Sequence, residues 1–164
     1  MRIATGFLIG LLMGIVISTI SMTFAQGNRL TGMDGVNHAG VYVENMDEAK
    51  AFFTQKMGFT EAFTVRNPQG QPTLTYMQAS KNTFIELQPA GEGRPAGISH
   101  VGLQVEDIKA TIATLKQRGV TVDEPRTSST NSIIANVTGP ANMRIELSEL
   151  TPQSLQRKAV DGWK

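Results

Sequence analysis

Two short stretches decide the fold: residues 35–40 read Gly-Val-Asn-His-Ala-Gly, and residues 97–102 read Gly-Ile-Ser-His-Val-Gly. They contain the only two histidines of the 164-residue chain, His38 and His100. These histidines lie 62 residues apart in matching contexts. A phrase repeated at such a distance predicts that one supersecondary unit occurs twice in the chain.

A second pair of phrases carries acidic residues at a similar spacing. Residues 84–87 read Phe-Ile-Glu-Leu, and residues 144–147 read Arg-Ile-Glu-Leu. Their glutamates lie among apolar neighbours, where an unpaired carboxylate would be costly. One His and one Glu from each unit supply nitrogen and oxygen donors that suit Zn, Ni, Co, Fe or Mn. The predicted ligands of this divalent metal are His38, Glu86, His100 and Glu146.

The two units show the same predicted order of elements, β-α-β-β-β, over residues 35–88 and 97–148. Alternating apolar residues predict the strands, and apolar residues at helical spacing after Asn45 and Asp107 predict one helix in each unit. We therefore expect an α+β domain over residues 33–150, in which two tandem βαβββ modules form curled mixed sheets around the metal site. The strands expected after the second helix are residues 120–122, 132–137 and 143–147.

The two ends of the chain differ from this domain. Residues 1–25 begin with the basic Arg2, continue as an uncharged apolar run and end at Ala25, which is the pattern of a signal peptide. An uncleaved membrane anchor is the alternative, because the run is long enough to cross a bilayer as a helix. The protein is thus expected to be secreted or periplasmic, or else membrane-anchored and facing outside. Residues 151–164 are expected to form a C-terminal helix with Thr151 as its N-cap.

Composition excludes some partners and suggests others. With 15 Lys and Arg against 14 Asp and Glu, the net charge is +1. The chain therefore lacks the excess of positive charge that is typical of nucleic-acid-binding proteins. The chain has no cysteine, so its stability outside the cytoplasm must come from core burial or a bound metal. The expected partners are a small-molecule substrate and a second copy of the chain, with a membrane contacted only through an uncleaved N-terminus. The modules could pair within one chain or across a swapped homodimer.

Residues 35–150 resemble the vicinal oxygen chelate superfamily, which includes glyoxalase I, methylmalonyl-CoA epimerase, extradiol dioxygenases and bleomycin-resistance proteins. The resemblance is carried by the two histidine phrases, the two glutamate phrases and the Met57-Gly58-Phe59 end of the first helix. The chain is most similar to glyoxalase I, whose metal is held by His, Glu, His and Glu on the corresponding strands. The resemblance therefore implies the same four ligands.

The resemblance also implies a reaction. In the glyoxalase pattern a divalent metal polarises the substrate, an enediolate forms, and a carboxylate at the metal moves the proton. The last glutamate is the usual base, so the expected catalytic residues are Glu146 as the base and Glu86 as its counterpart. The chain is thus expected to be an exported metal-dependent isomerase, lyase or epimerase that transfers a proton next to a carbonyl.

The substrate is less well defined by this resemblance. Tyr42 and Ala90 stand where glyoxalase I carries the Arg and Asn that bind glutathione, which argues against a glutathione substrate. Tyr42 and Arg94 are the candidate substrate-binding residues. Further cations that could contact an anionic substrate are Arg66, Lys81 and Arg126, although surface charge is the more common role of such residues.

Two other functions are compatible with the same fold. An Fe(II) extradiol-type dioxygenase would use two His and one carboxylate. A fourth ligand at Glu86 and the absence of a further histidine argue against it. A non-enzymatic small-molecule binding protein is the second alternative, and the presence of all four ligands argues against that function.

Overall fold

One curled, mixed sheet of eight strands, a half-barrel, forms the body of the protein. The computed structural model describes residues 29–164, so the expected signal peptide at residues 1–25 lies outside the described residues. The strands are β1 (Met33–Val43), β2 (Thr60–Arg66), β3 (Pro72–Ser80), β4 (Thr83–Pro89), β5 (Gly97–Val105), β6 (Arg126–Thr127), β7 (Ile133–Thr138) and β8 (Arg144–Glu149). Their spatial order is β2-β3-β4-β1-β5-β8-β7-β6.

The first strand of each half lies at the centre of the sheet. β1 pairs with β4 in parallel, and β5 pairs with β8 in parallel. β1 and β5 then pair with each other in antiparallel orientation and join the two halves. The expected α+β architecture is confirmed, and in this structure the two halves pair within one chain.

Three α-helices within the described residues pack on this sheet: α1 (Met46–Ala51), α2 (Ile108–Gln117) and α3 (Leu155–Asp161). A π-helical segment, Phe52–Lys56, continues α1. The expected starts of the first two helices are confirmed, because the side chains of Asn45 and Asp107 accept hydrogen bonds from N–H groups of the first turn. No helix within residues 29–164 is both long and apolar enough to span a bilayer.

The last helix begins later than the sequence suggested. Ser154 is its N-cap, since its side chain accepts the N–H of Arg157. The hydroxyl of Thr151 instead donates to the carbonyl oxygen of Asn131 at 2.8 Å, so Thr151 is already engaged in a loop contact. The expected N-cap at Thr151 was therefore wrong.

One expected strand is missing from the second half. At residues 120–122 only Val122 makes an isolated bridge, to Val137, and the edge strand of this half is β6. Pro125 lies between the bridge and β6 and has no N–H to donate, which interrupts the ladder here. The expected strand at residues 120–122 was wrong.

Two apolar clusters support the sheet on either side of its centre. In the second half, Ile108 and Ile112 of α2 pack with Val105, Val137 and other residues of β5, β7 and β8. In the first half, Val160 of α3 packs with the second cluster, Leu74, Tyr76 and Phe84. Each fully buried residue of this size contributes about 1.5–3 kcal/mol of transfer free energy. The C-terminal helix is thus part of the domain core.

Candidate active site

The four predicted ligands meet at the middle of the sheet. His38 is on β1, Glu86 on β4, His100 on β5 and Glu146 on β8. These strands are consecutive in the order β4-β1-β5-β8. Each half therefore supplies one histidine and one glutamate from two neighbouring strands.

The donor atoms of these residues converge. The Nε2 atoms of the two histidines are 3.0 Å apart, and Oε2 of Glu86 lies 3.3 Å from each of them. Oε1 of Glu146 lies 3.6 Å from Nε2 of His38. The four residues are buried, with Glu146 the most exposed at 9%. Donor atoms of His38, Glu86 and His100 all lie within 4.8 Å of one another. These three residues could hold a divalent cation, and the carboxylate of Glu146 lies beside them.

A chain of hydrogen bonds that sequence analysis missed orients His38. The amide of Gln104 donates to the carboxylate of Asp34 at 2.6 Å, and Nδ2 of Asn37 donates to Oε1 of Gln104 at 3.3 Å. Oδ1 of Asn37 then faces Nδ1 of His38 at 2.6 Å. Because a carboxylate only accepts, each amide has a defined direction and the His38 proton is on Nδ1. Nε2 therefore presents its lone pair to the site.

A register shift in β1 makes this chain possible. The shift lies between Val36 and His38, opposite β5, and the two successive residues Asn37 and His38 are both buried. In a regular strand, successive side chains point to opposite faces. The irregularity therefore lets Asn37 reach the ring that follows it in the chain.

Replacing Asn37 by leucine should weaken divalent metal binding about 10- to 100-fold, because partners that orient a ligating histidine have effects of this size. Titration calorimetry of the metal-stripped protein with Zn²⁺ measures the change. The matched variant is Asn37→Asp, which keeps an acceptor for the Nδ1 proton and should retain the affinity. Equal affinity of Asn37→Leu and wild type would contradict the role of this chain.

His100 has a different set of neighbours. Its Nδ1 lies 2.8 Å from Oγ of Ser99 and also contacts the guanidinium of Arg144. With Arg144 donating, the His100 proton is on Nε2 and faces Oε2 of Glu86. Ligation of a metal by this Nε2 requires the proton on Nδ1, and Ser99 supplies an acceptor for it there. Metal ligation by His100 therefore requires Arg144 to move away from Nδ1 and leave it to Ser99.

Burial keeps the side chains of His38 and Tyr76 neutral. It lowers the pKa of His38 from 6.5 to about 4, so the ring is uncharged at neutral pH, as a metal ligand must be. Burial also raises the pKa of Tyr76 well above 10, and its hydroxyl donates to Oε2 of Glu86 at 2.9 Å. Tyr76 is therefore a fixed donor to this carboxylate.

The two glutamates have their pKa values displaced in opposite directions. Burial alone would raise the pKa of Glu86, but interactions with the two histidines and the hydrogen bond from Tyr76 outweigh it and lower the pKa to about 2. Burial, followed by the charge of Glu86, raises the pKa of Glu146 above its usual value. Two carboxylates separated in this way are typical of sites that transfer protons.

Glu86 and Glu146 also differ in the hydrogen bonds that their carboxylates accept. Glu86 accepts from Tyr76 and from the amide of Gln88. Glu146 accepts no hydrogen bond from any residue in the range 29–164. Glu86 is consequently held in place, whereas the carboxylate of Glu146 is available to bind and release a proton.

Each histidine faces a glycine of the other phrase. In the β1–β5 pair, His38 lies opposite Gly102, and His100 lies opposite Gly40. A Cβ atom on either glycine would lie within 3.0 Å of the opposite imidazole ring. The His-X-Gly pattern of both phrases therefore provides the space in which the two rings meet.

A cavity of about 120 Å³ opens beside the two glutamates. Its walls come from both halves of the sheet, from the loop at residues 128–130 and from α3. They include Tyr76, Glu86, Arg126, Arg144, Glu146 and Gln156. Sequence reasoning missed Tyr76 and Gln156, which belong to no repeated phrase. It also missed Arg144, because the second glutamate phrase has Arg where the first has Phe84.

The structure does not bring Tyr42 and Arg94 to this cluster. The guanidinium carbon of Arg94 lies 5.8 Å from the centre of the Tyr42 ring, and Tyr42 lines a separate cavity with Phe52 and Phe53. A second register shift, between Gly40 and Val41, breaks the alternation that would have placed Tyr42 on the face of His38. Neither residue lines the cavity beside the glutamates.

Comparison with known proteins places this site in a family context. A sequence profile of the Glyoxalase/Bleomycin resistance protein/Dioxygenase superfamily matches residues 35–147. The mitochondrial methylmalonyl-CoA epimerase of Mus musculus is 21% identical over 113 residues, which are 63% of this chain and 64% of that protein. The chain thus spans slightly less than two thirds of that relative's length.

Solved structures agree with this assignment at the level of the fold. Methylmalonyl-CoA epimerase from Mycobacterium tuberculosis gives a TM-score of 0.63 at 22% identity, covering 77% of this chain and 95% of that one. A variant of the Streptomyces coelicolor enzyme in complex with 2-nitronate-propionyl-CoA gives 0.60 at 22%, covering 74% and 98%. The profile match extends over most of the chain, and the chain belongs to the glyoxalase/bleomycin resistance/dioxygenase (vicinal oxygen chelate) superfamily.

Proposed function

We propose that this chain is a metal-dependent enzyme that transfers a proton at a carbon next to a carbonyl, as an isomerase, lyase or epimerase. The observation that carries the proposal is the pair Glu86 and Glu146. Both approach Nε2 of His38, both line one cavity, and their pKa values are displaced in opposite directions. The names of the relatives, methylmalonyl-CoA epimerases, favour an epimerase type of reaction.

The metal would be held by the two histidines and the two glutamates. When bound, a divalent cation polarises a carbonyl and makes the neighbouring C–H more acidic. The carboxylate of Glu146 takes the proton from that carbon and returns it, since it accepts no hydrogen bond within residues 29–164 that would hold it in place. Tyr76 and Gln88 hold the other carboxylate, Glu86, in place.

The proposal includes a location and an assembly. The apolar run and the small-residue end of residues 1–25 support export from the cytoplasm, with an uncleaved anchor as the alternative. A homodimer is supported by two exposed apolar residues, one in each histidine phrase. Val36 is 60% exposed and Ile98 is 80% exposed, both on the central strands of the sheet.

The test is deuterium exchange in D₂O, followed by NMR, with protein whose metal content is known from elemental analysis. The substrates offered are methylmalonyl-CoA and the hemithioacetal of methylglyoxal with a small thiol. We expect metal-dependent exchange at the carbon next to the carbonyl of at least one of them. The control is His38→Ala, which should bind metal weakly and exchange nothing. If metal-loaded wild type exchanges neither compound, the proposed reaction is wrong.

A further inference from the structure

The cavity beside Glu146 is lined by two arginines, here called the basic wall, as well as by the two glutamates. Arg126, which is exposed, and Arg144, which is half-buried, both line it. No carboxylate within residues 29–164 lies within 4.0 Å of a nitrogen of either guanidinium. Both cations nevertheless act on Glu146, since their charges oppose the rise in its pKa. The two positive groups thus face the catalytic carboxylate without an anionic partner of their own.

One neutral donor, the side-chain amide of Gln156, also lines this cavity. Oε1 of Gln156, on α3, accepts from the hydroxyl of Ser132 at 2.7 Å and from that of Thr130 at 3.4 Å. Its Nε2 is buried and has no hydrogen-bond partner among the described residues. A buried donor without an acceptor costs free energy. Gln156 lines the cavity, so a ligand with acceptor oxygens could remove this cost.

The present partner of Arg144 is a weak one for a guanidinium. Its terminal nitrogen contacts Nδ1 of His100, a neutral acceptor. A carboxylate matches the planar fork of a guanidinium and forms stronger, charge-assisted hydrogen bonds. An entering carboxylate would therefore compete well for Arg144 and would leave Nδ1 of His100 to Ser99.

The size of the cavity limits what can enter it. Its volume is about 120 Å³. A cavity of about 150 Å³ accommodates benzene. The enclosed part of a substrate is therefore about the size of a short-chain acid, and any larger group attached to it must extend out through the opening.

We propose that Arg126 and Arg144 bind a carboxylate carried by the substrate itself, so that the enzyme acts on compact carboxylic acids. This inference rests on the proposed function, because it assumes that the substrate reacts at Glu146. With its carboxylate on the basic wall, the acid presents its next carbons toward Glu146 and the histidines. Arg126 and Arg144 are thus specificity residues that select an anionic substrate and orient its reacting carbon.

Equilibrium binding tests the inference without requiring turnover. The probes are propanoate and propanamide, which have the same shape and differ in charge, measured by NMR titration of the metal-loaded protein. We expect propanoate to bind at least tenfold more tightly than propanamide. Arg126→Gln should weaken propanoate binding about ten- to hundredfold, as expected for the loss of a charge-assisted pair. Arg126 is exposed, and circular dichroism verifies that this variant is folded.

The control variant is Lys158→Gln, which makes the same change of charge at an exposed position of α3 outside the cavity. It should alter propanoate binding by less than twofold. Arg144→Lys keeps the charge but loses the fork, and its affinity should lie between those of wild type and Arg126→Gln. Equal binding of propanoate and propanamide, or wild-type binding by Arg126→Gln, would overturn the inference.

Two further arms separate a carboxylate site on the basic wall from binding at the metal and from a phosphate site. The titration is repeated after removal of the metal with a chelator, and the loss caused by Arg126→Gln should persist. A loss seen only with metal present would assign the carboxylate to the metal and overturn the inference. Inorganic phosphate is titrated in parallel, and tighter Arg126-dependent binding of phosphate than of propanoate would also overturn it. Absent deuterium exchange with intact propanoate binding would refute the proposed reaction while leaving the carboxylate site in place.

Discussion

Glu146→Gln is expected to slow deuterium exchange into the substrate about 10²- to 10⁴-fold, the usual contribution of a general base. Glutamine preserves the size of the side chain and one oxygen, but it cannot take a proton from carbon. The structure favours this residue because it accepts no hydrogen bond within residues 29–164 and has a raised pKa. The measurement is the rate of exchange under saturating metal, with protein concentration and metal content matched to wild type.

The matched variant is Glu86→Gln, the same chemical change in the other carboxylate. Glu86 is held by Tyr76 and Gln88, and its pKa is lowered to about 2, so it stays ionised at neutral pH. Glu86→Gln should therefore weaken metal binding more than Glu146→Gln does, and should slow exchange less once metal is saturating. The reverse order of effects would assign the base to Glu86. Glu124→Gln, a change at an exposed residue, should leave the rate unchanged.

The pH profile gives the same prediction an independent readout. A base acts in its ionised form, so the exchange rate should rise with pH through the pKa of the group that removes the proton. Burial and the charge of Glu86 raise the pKa of Glu146 in the metal-free site, whereas a bound divalent cation lowers it, so the rise should move to lower pH when the metal is bound. In Glu146→Gln this limb should disappear, whereas a purely structural defect would lower the rate at every pH.

The convergence of the four predicted ligands could be foreseen because the information for it is local and occurs twice. His38 and Glu86 occupy the same positions in the first half as His100 and Glu146 in the second. Once the first and last strands of each half are neighbours, these four residues meet whatever the exact ends of the strands. A prediction of this kind tolerates errors in helix caps and strand boundaries, such as those at Thr151 and residues 120–122.

Predictions that assumed a regular alternation of side chains along β1 were less accurate. Two of the three register shifts in β1 change which side chains share a face, and they move Tyr42 away from the cluster while bringing Asn37 onto His38. The sequence of residues 36–40, Val-Asn-His-Ala-Gly, is compatible with a regular strand, so it does not predict a register shift. Arg126 was among the candidate cations, but its position beside Arg144 and Gln156 could not be predicted, since these residues meet only through the tertiary fold.

Gly102→Ala is expected to destabilise the protein by about 3 kcal/mol or more, a fall in Tm of roughly 10 °C, and to abolish tight metal binding. The added Cβ would lie within 3.0 Å of the His38 ring, which is fully buried and bonded to Asn37. Neither the ring nor the central β1–β5 pair can move without losing these contacts. Thermal melting and Zn²⁺ titration measure the two effects, and Gly40→Ala should behave alike because it faces His100.

A double variant separates this clash from a general intolerance of alanine at position 102. In a His38→Ala background the imidazole is gone, so Gly102→Ala should then cost little, and the two changes should be strongly non-additive. Gly91→Ala is the surface control, since its new Cβ would meet only the end of the Arg94 side chain, at 3.8 Å. If Gly102→Ala lowers the free energy of unfolding equally with and without the His38 ring, Gly102 is required by the backbone of β5 and the clash is not the cause. If the loss of stability disappears when the ring is removed, Gly102 is required because it makes room for His38. The two His-X-Gly phrases then pack against each other, each glycine next to the histidine of the other phrase.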